Sequence, residues 1–441
     1  MQQDEIIAQV QKNFAIGSIN PMQVACWESM QYTEDILLLS PTGSGKTLAF
    51  LLPLWQLLKS NQPAGVQCLV LTPSRELAIQ IEQVWKKMAT GYKVSCCYGG
   101  HDMQLEIQGL TEPPALLVGT PGRIADHIKR ATFVLSGIEN LVFDEFDKSL
   151  ALGFQEDMSY IVKSLNKPFR KLFVSATESM EIPDFAASDS LTVLDFITAK
   201  EAITALQLVR VVSEEKDKVT KLADLLSFIN KEQVLVFCNH RDAVERTAQL
   251  LLEKGIENAS FHGGMEQMQR EQTLIRFRNG TVRFLIATDL AARGLDIPEI
   301  RHVVHFHLPA TEAEFIHRNG RTARMEATGM AYLLMHTDDL LPYYIKKMPE
   351  LLSLPQKLSL PAATDWATIY INGGKKDKLN KIDIVGFFTQ KGQLLKEDIG
   401  LIIVKDRNAF VAVKKKKLKS LLTLVQQEKI KGTRYRIAEA R

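Results

Sequence analysis

The segment 40–47 constrains the fold of this chain of 441 residues more than any other. It reads Ser-Pro-Thr-Gly-Ser-Gly-Lys-Thr, follows the apolar run 35–39, and precedes an apolar stretch that begins at Leu48. A glycine-rich turn between a strand and a helix lets successive backbone N–H groups point at phosphate oxygens. The pattern therefore predicts an α/β fold with a nucleotide-phosphate site. The binding residues of this segment would be Thr42, Gly43, Ser44, Gly45, Lys46 and Thr47.

Two side chains of this segment have a predicted chemical role. Lys46 would reach the β- and γ-phosphates of a nucleotide, and the Thr47 hydroxyl would be a ligand of Mg²⁺. The first position is Ser40, where the strict phosphate-loop pattern has glycine. The flanking strand and helix are the context that this motif requires, so they support the assignment.

Short apolar runs alternate with longer helical stretches up to about residue 350. Such runs are typical of buried parallel strands in a doubly wound α/β sheet. The pattern pauses near 188–201 and then restarts, which predicts two similar α/β domains, at 1–200 and 201–355. The runs are 35–39, 67–71, 115–118, 140–143 and 171–174 before the pause, and 208–212, 233–237, 283–286, 302–306 and 330–334 after it.

A third domain is predicted at 364–441, after a linker at 351–363 that contains two prolines. Its order of elements is βαββαβ, the ferredoxin-like α+β arrangement that includes the RNA recognition motif, or RRM. The predicted strands are 366–372, 399–404, 409–413 and 434–438, and the predicted helices are 379–389 and 414–427.

The charge of the chain is unevenly distributed. The whole sequence has 54 Lys+Arg and 51 Asp+Glu, a net charge of +3. Residues 372–441 hold 18 basic and 7 acidic residues, a net of +11, so the rest has 36 basic and 44 acidic residues, a net of −8. A basic end on an acidic body indicates a segment that meets a polyanion. A merely solvated basic surface is the alternative.

The cysteines and the hydropathy pattern indicate the cellular compartment in which the protein is expected. The odd number of cysteines and the lack of a C-x-x-C pair argue against a zinc site or a disulfide framework, and favour a reducing cytoplasm. No run reaches the roughly 18 apolar residues that span a bilayer, and we expect no secretory signal at the N-terminus. The five cysteines are Cys26, Cys68, Cys96, Cys97 and Cys238.

Carboxylates follow the apolar run 141–143, in the sequence Asp-Glu-Phe-Asp from Asp144 to Asp147. Open α/β sheets bind ligands at the carboxyl ends of their parallel strands. Asp144 can therefore hold Mg²⁺, while Glu145 can orient and deprotonate an attacking water. Seen alone, such residues are more often a solvated loop, but the upstream phosphate loop favours the catalytic interpretation.

A basic octapeptide, 317–324, lies in the second α/β domain. Arg321 and Arg324 are three residues apart, which predicts that they share a helix face. Phosphoryl transfer needs cations at the γ-phosphate as charge develops there, so both are catalytic candidates. A basic surface helix is the alternative.

Taken together, these residues resemble a DEAD-box RNA helicase of superfamily 2, over roughly 15–335. The family fold is two RecA-like domains, with ATP and RNA in the cleft between them. The resemblance implies an RNA-dependent ATP hydrolase, with ATP and Mg²⁺ as cofactors and RNA as partner. The further segments that match family motifs are 73–78, 99–100, 120–123, 175–177, 236–239, 267–270 and 287–296.

The resemblance also implies roles for single residues. Gln23 would read adenine, Asp296 would touch the ribose of ATP, and Gly294 would lie near the γ-phosphate. Ser175 and Thr177 would link the Asp144 region to domain closure. The residues that would hold the RNA backbone are Arg75, Gly100, Thr120 and Arg123 in the first domain, and Gln267, Arg270 and Thr288 in the second.

The chain departs from the family pattern at two places. Phe146 stands where the family usually has alanine, which puts the contacts of the 175–177 motif in question. The family also has an aromatic about 17 residues before the Gln23 motif; the chain has no aromatic at that spacing, and Phe14 lies too close to replace it. We therefore expect a weaker preference for ATP, visible as competition by GTP in an RNA-stimulated hydrolysis assay.

The C-terminal domain resembles that of one bacterial DEAD-box group, the DbpA group, through its segments 371–376, 398–400 and 429–432. That resemblance implies targeting to a hairpin of 23S ribosomal RNA in large-subunit assembly. Tyr370 fits an RRM position that stacks on a base, although packing in the core or at an edge is an equal alternative. Lys414 and Lys431 would attract phosphates.

We interpret the chain as a cytoplasmic, monomeric ATP-dependent RNA helicase that locally unwinds short duplexes. One alternative is an ATP-gated RNA clamp or assembly scaffold with little unwinding, which would use the same motifs. A processive DNA helicase is a third possibility, disfavoured by the RNA-backbone motifs and by the DExD pattern at Asp144.

Overall fold

The computed structural model describes residues 3–32, 35–41, 43–59, 65–165, 167, 169–176, 182–188, 190–197, 206–289, 300–322 and 329–440. Within these residues the chain forms two seven-stranded sheets and one four-stranded sheet. It divides into two compact units: the first contains the first sheet together with the segment around His317, and the second contains the other two sheets. None of the described helices has the length and apolar character needed to cross a membrane.

The first sheet is parallel throughout, with the strand order β3-β4-β2-β5-β6-β1-β7. Its strands are β1 (Asp35–Leu39), β2 (Cys68–Leu71), β3 (Val94–Cys97), β4 (Leu116–Gly119), β5 (Asn140–Phe143), β6 (Arg170–Ser175) and β7 (Leu191–Asp195). Its helices are α1 (Gln3–Phe14), α2 (Pro21–Ser29), α3 (Lys46–Leu57), α4 (Arg75–Met88), α5 (Met103–Leu110), α6 (Pro121–Lys129), α7 (Phe146–Ala151) and α8 (Gln155–Ser164).

The interior strands of this sheet are those that the apolar runs predicted. β2, β4 and β5 are buried along their whole length, because helices cover both faces of a parallel sheet. The prediction of a pause near 188–201 was wrong, since β7 lies there and pairs with β1. β3 was also missed. Both are edge strands with partly exposed residues, so neither shows a continuous apolar run.

The second sheet repeats this parallel arrangement, with the order β10-β11-β9-β12-β13-β8-β14. The short strands β10 and β14 were not predicted. β14 lies at 350–351, where the sequence predicted the end of the domain and the start of a linker. The strands are β8 (Leu206–Ser213), β9 (Val234–Phe237), β10 (Ala259–Phe261), β11 (Phe284–Ala287), β12 (His302–His305), β13 (Gly329–His336) and β14 (Glu350–Leu351). The helices are α9 (Val219–Ile229), α10 (Arg241–Glu253), α11 (Gln267–Arg278) and α12 (Glu312–Asn319).

The C-terminal sheet is antiparallel, with the order β16-β17-β15-β18, and confirms the βαββαβ prediction. The predicted helix 414–427 was too long: Lys414 ends β17, where it pairs with Trp366, and the three lysines after it form a 3₁₀ turn. The elements are β15 (Trp366–Ile371), α13 (Lys381–Gln390), β16 (Ile399–Val404), β17 (Ala409–Lys414), α14 (Leu418–Val425) and β18 (Ile437–Glu439).

Candidate nucleotide and RNA sites

The phosphate loop connects β1 to α3, as its sequence predicted. Gly43 and Gly45 have φ angles of 88° and 91°, a region that L-residues with a side chain rarely adopt. Lys46 Nζ donates to the carbonyl oxygens of Ser40 at 2.7 Å and Pro41 at 3.0 Å, so the lysine lies along its own loop. Burial lowers the pKa of Lys46 to about 8, against the opposing effect of nearby carboxylates. Thr42 lies outside the described residues, and Thr47 is in the first turn of α3.

Gln23 lies against this loop at the start of α2. The side chain of Asn20 caps the helix and also donates to Ser44 O at 2.9 Å, while Gln23 Nε2 donates to Gly45 O at 3.3 Å. A Cβ at Gly45 would lie 2.7 Å from Gln23 Nε2 and would displace that side chain, and the φ of +91° disfavours any residue with a side chain. Phe14 instead packs at the end of α1, with Lys87 Nζ 4.4 Å from its ring centroid.

Asp144 and Glu145 follow β5, at the carboxyl edge of the sheet. Glu145 has a φ of 51° and forms an ion pair with Lys148 at 2.6 Å. Burial, with repulsion from Glu145, raises the pKa of Asp144 to about 7. Burial disfavours the charge of Glu145, but Lys148 and Arg321 outweigh it and hold its pKa at about 2. Beside the phosphate loop, Glu145 is therefore ionised and paired with Lys148, while the charged form of Asp144 is disfavoured.

The residues present fit a nucleotide with a divalent cation. The loop at Gly45 has a φ of +91° that favours glycine, and Glu145 Oε2 is buried with no hydrogen-bond partner among the described residues. The raised pKa of Asp144 indicates a carboxylate whose charge the protein does not fully compensate. A cation bound there would give Glu145 Oε2 a partner and would compensate the charge of Asp144.

The segment around His317 belongs to the same compact unit as this site. His317 Nε2 and Asp147 Oδ2 are 3.1 Å apart; His317 is buried, and the Asp147 side chain is 11% exposed. Burial, together with the charge of Lys148, lowers the pKa of His317 to about 4. The predicted shared helix face was wrong: α12 ends before Gly320, and Arg321 lies buried in the turn that follows. Arg324 lies outside the described residues.

Phe146 is part of the hydrophobic core. Its ring is fully buried and packs against Phe143 at 5.2 Å, Phe173 at 4.9 Å and Phe185 at 6.5 Å between centroids. The aromatic side chain is therefore directed away from Asp144 and fills space under β5 and β6. Ser175 is buried at the end of β6, and Thr177 lies outside the described residues.

Four residues that the family resemblance assigned to RNA meet around the loop after β3. The guanidinium of Arg75 lies over Gly100, whose φ is +84°, and a Cβ there would be 2.5 Å from Arg75 Nη1. Thr120 precedes α6, and its N–H donates to Cys97 O at 3.1 Å. Arg123 Nη2 donates to His101 O at 2.7 Å. The structure thus joins three separate motifs in one patch.

In the second α/β domain, the candidate RNA residues gather around the end of β10. Arg270 is buried in the first turn of α11, with its guanidinium 5.3 Å from the ring centroid of Phe261. Thr288 N donates to Phe261 O at 3.2 Å. Gln267 Nε2 lies 3.4 Å from Glu271 Oε1 on the same helix. Gly294 and Asp296 lie outside the described residues.

The sheet face of the C-terminal domain packs against α11 of the second domain. Ile275 forms a small apolar cluster with Phe410 and Ala440, against which Tyr370 packs. The rings of Tyr370 and Phe410 are 5.5 Å apart and nearly perpendicular. Alongside, Thr281 Oγ1 and Thr368 Oγ1 are 2.7 Å apart. This environment favours the packing role that the sequence left open for Tyr370.

Other basic residues of the C-terminal domain are exposed or lie at its edges. Lys414 Nζ stacks 4.1 Å above the ring of Trp366, and Lys431 Nζ lies 3.2 Å from Asp383 Oδ2. A cavity of about 430 Å³ lies at the end of α14, beside the residues that lead into β18. Sequence reasoning missed it, because a cavity is formed by the tertiary arrangement of the chain and no sequence motif marks these residues. They are Gln426, Arg434, Tyr435, Arg436 and Ile437.

Three family models cover most of the chain. They are the DEAD/DEAH box helicase at residues 20–185, the helicase conserved C-terminal domain at 217–326, and the DbpA RNA binding domain at 368–439. The ATP-dependent RNA helicase DbpA of Escherichia coli is 32% identical over 434 residues, which is 95% of this chain and 94% of the relative. The DbpA of Bacillus subtilis is 29% identical over 441 residues, or 92% and 91%.

Solved structures agree with the fold. Mss116p bound to ssRNA and AMP-PNP has a TM-score of 0.71 at 23% identity, covering 80% of this chain and 78% of that one. S. cerevisiae Dbp5 bound to RNA and ADP BeF3 has a TM-score of 0.67 at 25% identity, covering 76% and 89%. The chain therefore belongs to the DEAD-box family of ATP-dependent RNA helicases. Within that family it is of the DbpA type, with two RecA-like domains and a C-terminal RNA-binding domain.

Proposed function

We propose that this protein is an RNA-stimulated ATPase that locally unwinds short RNA duplexes, and that its C-terminal domain directs it to 23S ribosomal RNA during large-subunit assembly. The observation that carries the catalytic part is the grouping of Lys46, Asp144 and Glu145 at one edge of the first sheet. Asp144 is buried and Lys46 and Glu145 are partly buried, and their charges influence one another's pKa. Such coupling is typical of a site that handles phosphate charge.

The roles proposed for the ATP site follow from this chemistry. Mg²⁺, held by Asp144 and the Thr47 hydroxyl, would neutralise charge on the phosphates. Lys46 would leave the carbonyl oxygens of its own loop and donate to the β- and γ-phosphates. Glu145, which is anionic at neutral pH, would accept a proton from the attacking water. Arg321 and Arg324 would stabilise the developing charge at the γ-phosphate.

The remaining nucleotide contacts are proposed on the family resemblance and on local geometry. Gln23 would read the adenine edge, since its amide already lies against Gly45. Gly294 and Asp296 would contact the γ-phosphate and the ribose. Because Phe14 packs elsewhere, we retain the proposal that GTP competes with ATP more strongly than in family members with the upstream aromatic.

The RNA contacts of the two RecA-like domains would be to the backbone, and so carry little sequence information. Arg75, Gly100, Thr120 and Arg123 would form the first patch, and Gln267, Arg270 and Thr288 the second. ATP and RNA together would close the two domains, bend one strand and melt the duplex. Hydrolysis and product release would reopen them.

Targeting to 23S ribosomal RNA is proposed for the C-terminal domain. It is supported by the DbpA RNA binding domain match and by the two DbpA relatives. Since α11 covers the sheet face, we propose that RNA meets this domain at its other surfaces. Lys414 and Lys431 would contribute to phosphate attraction there. In the cavity lined by Arg434, Tyr435 and Arg436, the Tyr435 ring would stack on a base. We propose that the protein acts as a monomer in the cytoplasm.

The test uses the full-length protein and a short duplex joined either to a 23S ribosomal hairpin or to a hairpin of equal length and unrelated sequence. ATP hydrolysis and strand release are measured together. Higher activity with the ribosomal hairpin, and strand release that accompanies hydrolysis, would support the proposal. Equal activity with both hairpins would refute the targeting, and hydrolysis without strand release would favour the clamp alternative.

A further inference from the structure

A single buried carboxylate, that of Glu106 on α5, connects the loop after β3 to α6. Its Oε1 accepts from Tyr98 N at 3.1 Å and lies 3.2 Å from His101 Nδ1. Its Oε2 accepts from Arg123 Nε at 2.6 Å and from His127 Nε2 at 2.9 Å. The Glu106 side chain is 1% exposed, so its carboxylate charge lies in the interior, surrounded by these hydrogen-bond donors.

These donors stabilise the charged form. Burial alone would raise the pKa of Glu106, but the bonds from His127 and Arg123 outweigh it and keep the pKa below its ordinary value. A buried carboxylate with several hydrogen bonds and one guanidinium partner is held in a defined place, since losing any partner would leave polar groups unsatisfied. Glu106 is therefore a rigid anchor rather than a solvated surface charge.

The anchor fixes the direction of Arg123. Glu106 accepts a hydrogen bond from the Nε–H of the guanidinium, and His101 O accepts one from Nη2. These two bonds fix the plane of the group and leave the two N–H groups of Nη1 and the second N–H of Nη2 as further donors. A guanidinium held in this way can meet a phosphate without first losing side-chain entropy.

The same carboxylate fixes the turn that contains Gly100. Its bond from Tyr98 N lies two residues before Gly100, and its contact with His101 lies one residue after it. Gly100 in turn supports the guanidinium of Arg75. One side chain thus holds two separate basic groups of the first RNA patch.

We propose that Glu106 is a positioning residue for RNA binding, which sets Arg123 and the Gly100 turn in the geometry that contacts the RNA backbone. The inference rests on the proposed assignment of Arg123 to RNA. It gives Glu106 no contact with RNA itself and no part in the chemistry of ATP.

A metal site is the competing interpretation of the same residues. Ligand atoms of Cys97, Glu106 and His127 all lie within 4.8 Å of one another. However, burial raises the pKa of the Cys97 thiol well above its ordinary value, whereas a thiol must lose its proton to bind a metal. Arg123 also already neutralises Glu106. The arrangement therefore favours positioning over metal binding.

The experiment is a double-mutant cycle on the full-length protein, with Glu106→Gln, Arg123→Ala and both changes together. The dissociation constant for single-stranded RNA is measured with a non-hydrolysable ATP analogue, and the RNA dependence of ATP hydrolysis is measured in parallel. We expect about a tenfold loss of RNA affinity from either change, and no further loss from the pair. For Glu106→Gln, the kcat at saturating RNA should stay near that of the wild type, because Glu106 contacts neither RNA nor ATP.

Asp35→Asn is the matched control, because Asp35 is also a buried carboxylate that accepts a backbone N–H, that of Lys171 at 2.7 Å. It should lower stability but leave RNA affinity unchanged. Glu106→Asp, which retains the charge, is the second variant should Glu106→Gln fold poorly, and it should weaken RNA binding less than Arg123→Ala does. Thermal unfolding of each variant identifies a general loss of structure.

Additive losses in the cycle, or wild-type affinity in both Glu106 variants while Arg123→Ala binds weakly, would overturn the positioning role alone. Wild-type affinity for Arg123→Ala would instead overturn the RNA assignment on which it rests. Stoichiometric zinc in the purified protein, lost on Cys97→Ala, would show that the cluster is a metal site and would overturn the inference.

Discussion

The first RecA-like domain and the C-terminal domain would bind the same polyanion in opposite ways. The first domain is acidic overall and has a few cations in fixed places, such as Arg123 on Glu106 and Arg75 over Gly100. The C-terminal segment has a net charge of +11, with lysines that are mostly exposed. Fixed cations select a geometry, while mobile ones add attraction that salt screens. Charge count is therefore a poor guide to where geometry matters.

The largest expected effect is at the ATP site of the first domain, where a single cation lies in a fixed place. Lys46→Ala removes the cation of the phosphate loop, so we expect RNA-stimulated ATP turnover to fall by about 10³-fold or more. Steady-state phosphate release measures this. Lys59→Ala, which removes an exposed lysine paired with Glu139, is the control and should hydrolyse ATP normally. Turnover near wild type in Lys46→Ala would falsify the site assignment.

The second prediction concerns the support beneath that site. Phe146→Ala empties a fully buried ring position among three other aromatic rings, and should lower the free energy of unfolding by about 3–5 kcal/mol. Urea unfolding of the full chain, followed by fluorescence, measures the change. Phe228→Ala at a 43% exposed position should cost much less. Equal losses in the two variants would contradict the packing role.

Gly100→Ala tests whether geometry alone can weaken RNA binding without any change of charge. The added methyl meets Arg75 Nη1 at 2.5 Å and strains a backbone with φ of +84°. We expect about a tenfold loss of RNA affinity. Gly91→Ala is a matched control, because its φ is +80° with no heavy atom within 4 Å of the added carbon. If both substitutions weaken RNA binding equally, strain rather than the Arg75 contact is responsible.

The smallest effect is expected on the exposed side of the comparison. Lys416→Ala removes one of several solvent-exposed charges, so affinity for a ribosomal hairpin should fall about twofold, and the slope of log affinity against log salt should decrease by about one. Lys346→Ala removes the same charge from the second RecA-like domain and should leave the slope unchanged. A tenfold loss from Lys416→Ala would make this lysine a fixed contact as well, and the contrast between the domains would weaken.

Much of the fold was predictable because its signals are local. The interior strands are continuous apolar runs, and the edge strands β3, β7, β10 and β14 were missed because partial exposure removes that signal. The helix end before Arg321 was missed for a different reason. The spacing of the two arginines favoured a continuous helix, whereas α12 ends at Asn319 and Arg321 lies in the turn that follows.

The sequence by itself determined the phosphate loop, the acidic pair after β5 and the membership of the family, since each depends on residues that are adjacent in the chain. Only the tertiary structure decided what Glu106, Phe146 and Tyr370 do. Glu106 meets Arg123 and His127 from another helix, and Tyr370 packs beside Ile275, about a hundred residues earlier in the chain. Periodicity indicates which face of an element is apolar, but the partner of a buried side chain is chosen by long-range packing.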